Sequence, residues 1–287
     1  MTPAILALAF LTAAVPPPEP VVTYSVVQSV RSVTPRGSRQ QALAGTVAVS
    51  GERARWELDG STFPGTRTTL AVGDAGGVTL VDLREKLAAA ATWDEFRRLF
   101  QQASSEAGPA AATLAASEAS VTPEGPGPAR DGIATSRYRV SFSWTMKLAQ
   151  PGRLVTVAYA SRGTVDAADG FRDGRSGFDE LLPLFVARGE AREKLTAELR
   201  KIGGLPVAVA LETESEVRTE PAAAPGSGPA VPGPLPAPLR TTGSATRTVS
   251  ALARRAPTRA DAALFSLPED VRSRSLDRLL TREAALP

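Results

Sequence analysis

Five carboxylates crowd one short stretch, Asp166, Asp169, Asp173, Asp179 and Glu180 in DAADGFRDGRSGFDE. Acidic loops of this kind hold calcium, which takes about six to eight oxygen ligands. The spacing does not follow an EF-hand loop, and Arg172 and Arg175 stand among the acids, where they compete with a cation. The stretch therefore reads as a solvated turn and helix cap. Serine nucleophiles need a base, and the chain has no histidine. The remaining route is a Ser-Lys dyad, but none of Lys86, Lys147, Lys194 and Lys201 stands in an S-x-x-K motif. Cysteine is absent too, which removes thiolate catalysis, disulfides and cysteine-based zinc sites. The glycines at 226–233 lie among prolines and lack the strand-to-helix context of a phosphate loop. These observations predict no catalytic residue, no metal ligand set and no cofactor, and hence a protein that is not an enzyme.

The positions left for function are apolar. Tyr138, Val140, Phe142, Trp144, Met146 and Leu148 alternate with Arg139, Ser141, Ser143, Thr145 and Lys147 in RYRVSFSWTMKL. A period of two with one dry and one wet face is the pattern of an antiparallel strand. Residues 45–59 repeat it, with Ala54, Trp56 and Leu58 on one side and Arg53, Arg55 and Glu57 on the other. Trp56, Leu58, Tyr138, Val140, Phe142, Trp144 and Met146 are the candidate ligand-binding residues, either as cavity lining or as plain core.

Further strands are expected over 21–33, 67–72, 78–82, 153–161 and 205–217. The pair 67–72 and 78–82 reads as a hairpin through residues 73–77. Helix-start spacing at Asp82/Glu85 and Thr92/Glu95 predicts one or two helices across 83–102. Ser176 can cap a helix carrying Phe178, Leu181, Leu182 and Phe185, with Pro183 inside it. A second helix is expected over 190–202, ended by Gly203-Gly204. Residues 103–131 are mostly Ala, Ser, Gly, Pro and Glu and read as a flexible insertion. Residues 221–247 have linker composition. The tail, 248–287, reads as a final short strand at 247–252, the phrase LFSLPEDV at 264–271, and an amphipathic helix bearing Leu276, Leu279 and Leu280.

At the N-terminus, MTPAILALAFLTAA has an apolar run that meets small residues at Thr12-Ala13-Ala14. This pattern predicts a secretory signal over 1–14 and an extended tether over 15–20. The run is far shorter than the ~20 residues that span a bilayer. The expected location is outside the cytoplasm, in the periplasm or cell envelope, as a soluble monomer. The net charge is +3, and residues 240–287 hold nine arginines against five acids. That basic end suits an anionic envelope surface; an exported chain has no nucleic acid to meet.

The order of these phrases carries a resemblance. VTLVDLREKL at 78–87 comes first, then broad alternating strands and a helix. GGLPVAVALETES at 203–215 follows, and a late LFSLPEDV closes the series. Over roughly residues 21–272 the chain resembles the outer-membrane lipoprotein carrier superfamily, the LolA-like proteins, and their exported relatives. The resemblance implies an α+β fold, an antiparallel unclosed β-barrel (half-barrel) with helices packed in the concave side. It implies a lipid, lipoprotein or other acylated ligand held there without catalysis. The alternative is an envelope interaction or structural module whose barrel is only a scaffold.

Overall fold

The computed structural model describes residues 19–35, 37–59, 69–74, 76–96, 98, 112–150, 153–171, 189–221 and 237–276. The expected signal segment 1–14, the capped helix at 176–185 and Leu279 and Leu280 lie outside the described residues. Among the described residues no helix is long and apolar enough to cross a membrane.

Among the described residues, twelve strands form one sheet. They are β1 (Val21–Thr34), β2 (Gly37–Ser50), β3 (Arg53–Leu58), β4 (Leu70–Gly73), β5 (Gly77–Asp82) and β6 (Leu87–Thr92). Then come β7 (Ala112–Pro126), β8 (Thr135–Gln150), β9 (Arg153–Ala168), β10 (Leu205–Pro221), β11 (Leu239–Arg255) and β12 (Arg272–Ser273). The spatial order is β12-β6-β5-β4-β3-β2-β1-β11-β10-β9-β8-β7, so the sheet is large, almost wholly antiparallel and not closed into a barrel. Helix α1 (Gly189–Leu199) lies between β9 and β10, and α2 (Asp261–Leu264) follows β11.

Each end of the sheet is covered. An uncovered edge strand would expose unpaired backbone groups to other chains. At one end Glu198 of α1 accepts the Val121 amide of β7, while Leu195 is buried against Val121, Val140, Phe142 and Val165. At the other end β12 pairs in parallel with β6, and the Arg272 and Arg274 amides donate to the Lys86 and Ala88 carbonyls. The Lys86 ammonium meets Asp270 at 2.5 Å. Arg55 donates to the Leu264 and Ser266 carbonyls, and Arg53 lies over the Phe265 ring, so the LFSLPEDV phrase straps the wet face of β3.

Several local expectations change. Residues 45–59 are not one strand. β2 and β3 meet in a two-residue hairpin at Gly51-Glu52, and Gly51 takes φ +57, the conformation such tight turns need. The helix expected across 83–102 is absent from its first half. Asp82 accepts the Arg84 and Glu85 amides, which makes a tight turn, and the alanine-rich stretch that follows is β6. A helical turn occupies 93–96, entered through the Thr92/Glu95 capping box, where each residue accepts from the other's backbone amide.

The flexible insertion is also shorter than composition suggests. Residues 112–126 are β7, whose backbone pairs with β8 from Leu148 to Ser136. Similarly, the linker loses its second end, because β11 begins at Leu239 and pairs with both β1 and β10. In both cases the neighbouring strands supply the hydrogen bonds and the large side chains that the segment lacks. Residues 103–111 and 222–236 lie outside the described residues.

Candidate functional site

Directly paired residues in an antiparallel sheet project to the same side. The register sets Tyr138, Val140, Phe142, Trp144 and Met146 of β8 opposite Val165, Gly163, Ser161, Tyr159 and Val157 of β9. Val140 and Phe142 are buried in a cluster with Val121, Val165 and Leu195. Tyr138, Trp144 and Tyr159 are half-buried and pack against it. The Tyr138 hydroxyl accepts the Gly203 amide at 3.1 Å, which ties β8 to the end of α1.

Trp144 stacks on Tyr159 with ring centroids 5.4 Å apart and planes 16° from parallel. Tyr159 also contacts Phe142 at 5.8 Å. Burial pushes the Tyr159 phenol above its ordinary value, and the neighbouring Ser161 hydroxyl acts in the opposite direction. The three rings form a short ladder that runs from the buried interior, at Phe142, to the half-exposed rim at Trp144 and Met146.

Trp56 and Leu58 sit elsewhere. Trp56 is 6% exposed in a second cluster with Val47, Ala71, Val78 and Phe96, and Leu58 packs against the same cluster. A methyl group added at Gly73 would stand 3.2 Å from Trp93 and 3.3 Å from Trp56, so this corner is filled. The two clusters nonetheless share one sheet face. Pairing links Trp56 to Val47 and Val47 to Tyr24, then Val26 to Val249, and finally Val209 to Val165 and Val165 to Tyr138. Six strand spacings separate β3 from β8, about 29 Å measured along the sheet. The structure thus sets the seven candidate residues on one face but gathers only the five of β8.

The side chain missed by sequence reasoning is Arg247. It is 4% exposed, paired with Gln28 of β1 and Val209 of β10. Val209 belongs to the aromatic cluster, while Val249, two residues further along β11, belongs to the Trp56 cluster. A guanidinium therefore occupies the seam between two apolar clusters. It escaped notice because it closes the stretch whose composition reads as linker.

The opposite face is wet. A groove of about 620 Å³ is lined by Ser120, Ser141, Arg162, Glu212 and Glu214 of that face together with Phe142, Ser161 and Lys194. The Ser120 and Ser141 hydroxyls are 3.0 Å apart, and Arg162 approaches Glu212 at 3.8 Å and Glu214 at 4.0 Å. Of the acidic stretch 166–180, Asp166, within β9, and Asp169, just after it, are described. Asp166 is held by Arg137 at 2.7 and 3.0 Å, and Asp169 accepts the Ser136 hydroxyl at 2.9 Å. Both carboxylates already serve the fold, through hydrogen bonds that a cation would have to displace. No protein-family model matches the chain, and no curated protein matches it.

Proposed function

We propose that this chain is a non-catalytic, exported binding protein for an apolar or acylated ligand, a lipid or a lipoprotein, in the cell envelope. The open sheet is read as a half-barrel with α1 on its concave side, and the ligand lies along the aromatic ladder of β8 and β9. The observation that carries this reading is the half-exposed Trp144–Tyr159 stack, continued by Met146. Aromatic rings combine a large apolar surface with little conformational freedom to lose, which suits them to contact acyl chains. Export is read from the apolar run and the small residues ending at Ala14.

A second reading has its own support. The Trp56 cluster is filled rather than hollow, and a sheet that is solid throughout would serve as a scaffold for envelope interactions, its basic C-terminal end meeting an anionic surface. Native mass spectrometry of protein taken from its own envelope separates the two. A co-purifying lipid or acylated species supports the binding reading. A bare protein that also fails to take up an apolar fluorophore leaves the scaffold. N-terminal sequencing of the same material tests export; the mature chain is expected to begin just after Ala14, and an intact Met1 in cytosolic protein removes that claim.

A further inference from the structure

We propose that the outer edge of β7 at residues 117–119 is a strand-addition site. Its occupant is an extended segment of a partner protein that alternates large apolar side chains with a basic one. The site is made of backbone groups at the sheet's edge, so it is independent of the acyl-ligand reading.

One hydrogen bond and the strand register fix which way this edge faces. β7 is the last strand of the sheet, and Ala116 to Pro123 pair without a register shift with Thr145 to Tyr138. The Val121 amide points away from that ladder and donates to Glu198. In an antiparallel pair, alternate residues turn their backbone groups to the same side. The amides and carbonyls of Ser117 and Ala119 therefore point outward with those of Val121. Pro123 also faces outward and has no amide to offer. Charged side chains and prolines are the usual means of closing an edge. Glu198 and Pro123 close this one at 121 and 123. Among the described residues, no hydrogen bond reaches the outward groups of Ser117 and Ala119. Residues 117–120 also wall the 620 Å³ groove, so the open stretch of edge faces accessible space.

The surrounding side chains set the chemistry of the occupant. Ser117 pairs with Trp144 and Ala119 with Phe142. Both edge residues are small, so large apolar side chains on an added strand extend over them toward the aromatic ladder, whose Trp144 is half-buried. Glu118, between them, is exposed on the wet face. The charged lining of the groove is Glu118, Glu212 and Glu214 against Arg162 and Lys194, a net of −1. An opposite charge directly across from Glu118 is favoured. A second copy of β7 fits less well, because ATLAASEASVTPEGP has mostly small side chains and no basic residue. Backbone pairing supplies affinity in strand addition, and the alternating side chains supply specificity.

The test uses the full-length protein and the capped peptide Lys-Thr-Phe-Lys-Phe-Thr-Lys. Its central lysine faces Glu118 when its phenylalanines face Ser117 and Ala119. In the free protein, hydrogen exchange followed by NMR should show the Ser117 and Ala119 amides open and the Val121 amide protected. Saturating peptide should slow exchange at Ser117 and Ala119 about tenfold or more. The same peptide N-methylated at both phenylalanines loses two hydrogen bonds and should bind about tenfold or more weakly. Glu118→Lys should weaken the unmodified peptide about threefold or more while the free edge stays open. Ser117 and Ala119 amides as protected as Val121 in the free monomer overturn the proposal, since the edge is then already closed. Protection that grows with protein concentration also overturns it and makes a second copy the occupant. Equal binding of the two peptides, no binding of either, or unchanged binding in Glu118→Lys overturns it as well.

Discussion

The Glu198 carboxylate of α1 accepts the Val121 amide of β7 at 2.9 Å, joining residues 77 positions apart at the last strand of the sheet. Lys201 holds the other oxygen of the same carboxylate at 2.5 Å. The Lys201 contact first, and the Val121 amide second, keep the Glu198 carboxyl below the ordinary carboxylate range. A lowered value means that the contribution is present above the unfolded-state value, ~4.3, and fades as pH falls through the folded one. Hydrogen exchange should show the Val121 amide protected at neutral pH, with its protection factor falling progressively below about pH 4. Glu198→Gln should lower that factor at pH 7 and flatten its pH dependence. Wild-type protection that stays constant into strong acid would show that Glu198 does not latch the edge.

Gly163 tests how tightly β9 and β10 are drawn together. A Cβ there would stand 1.9 Å from the Ala210 carbonyl oxygen and 2.9 Å from the Leu211 Cα, both backbone atoms. Strands must part to admit it, so Gly163→Ala should cost about 1–3 kcal/mol or more in urea unfolding. Gly132 provides the comparison. It has φ +77 and nothing within 4 Å, so Gly132→Ala pays only for its backbone conformation, roughly 1 kcal/mol. Equal losses at the two sites would mean that the close approach at Gly163 relaxes without cost.

What the sequence revealed and concealed follows from where each segment finds its partners. β8 was legible because its own residues alternate without interruption, and the α1 span was legible from its apolar spacing. Asp82 misled because an N-cap and a tight turn use the same interaction, a carboxylate accepting amides two and three residues on. The alanines of β6 favour a helix in isolation, and pairing with β5 overrides that preference. β7 and the first half of β11 have linker composition because their core contacts come from the strands beside them. Arg247 was illegible for a related reason, since only the ladders with β1 and β10 reveal which face it occupies.

The C-terminal strap hangs on Asp261. Both of its carboxylate oxygens are gripped by Arg255, and one also accepts the Thr258 amide and hydroxyl. Arg255, the Thr258 amide and the Thr258 hydroxyl together hold the Asp261 carboxyl well below the usual carboxylate range. By the same sign rule as for Glu198, this anchor should persist into acid and fail only when Asp261 itself protonates. Asp261→Asn keeps the shape and removes the charge. Limited proteolysis of that variant at neutral pH should cut first within residues 256–276, where the wild type resists. An unchanged cleavage pattern would transfer the anchoring role to Arg53, Arg55 and the β12 ladder.

Trp56 and Trp144 lie on one face in different surroundings, and aspartate at each position should have opposite consequences. At position 56 the charge would enter a filled cluster, 6% exposed, bounded by Trp93, Gly73 and Phe96. An unpaired buried charge costs several kcal/mol, enough to unfold a domain of ordinary stability. At position 144 the side chain is half-exposed, and its stack on Tyr159 contributes only about 0.5–1.5 kcal/mol beyond the area it covers. Trp144→Asp should therefore leave a cooperative thermal transition and the β-type circular dichroism spectrum in place, with the midpoint lowered. If the aromatic ladder is the ligand wall, an apolar fluorophore should bind the wild type and shift the Trp144 emission. The same fluorophore should fail to bind Trp144→Asp although that variant remains folded. Trp56→Asp should lose the transition altogether. Should Trp144→Asp unfold like Trp56→Asp, and the wild type also ignore the fluorophore, the ladder is core throughout and the protein is a scaffold.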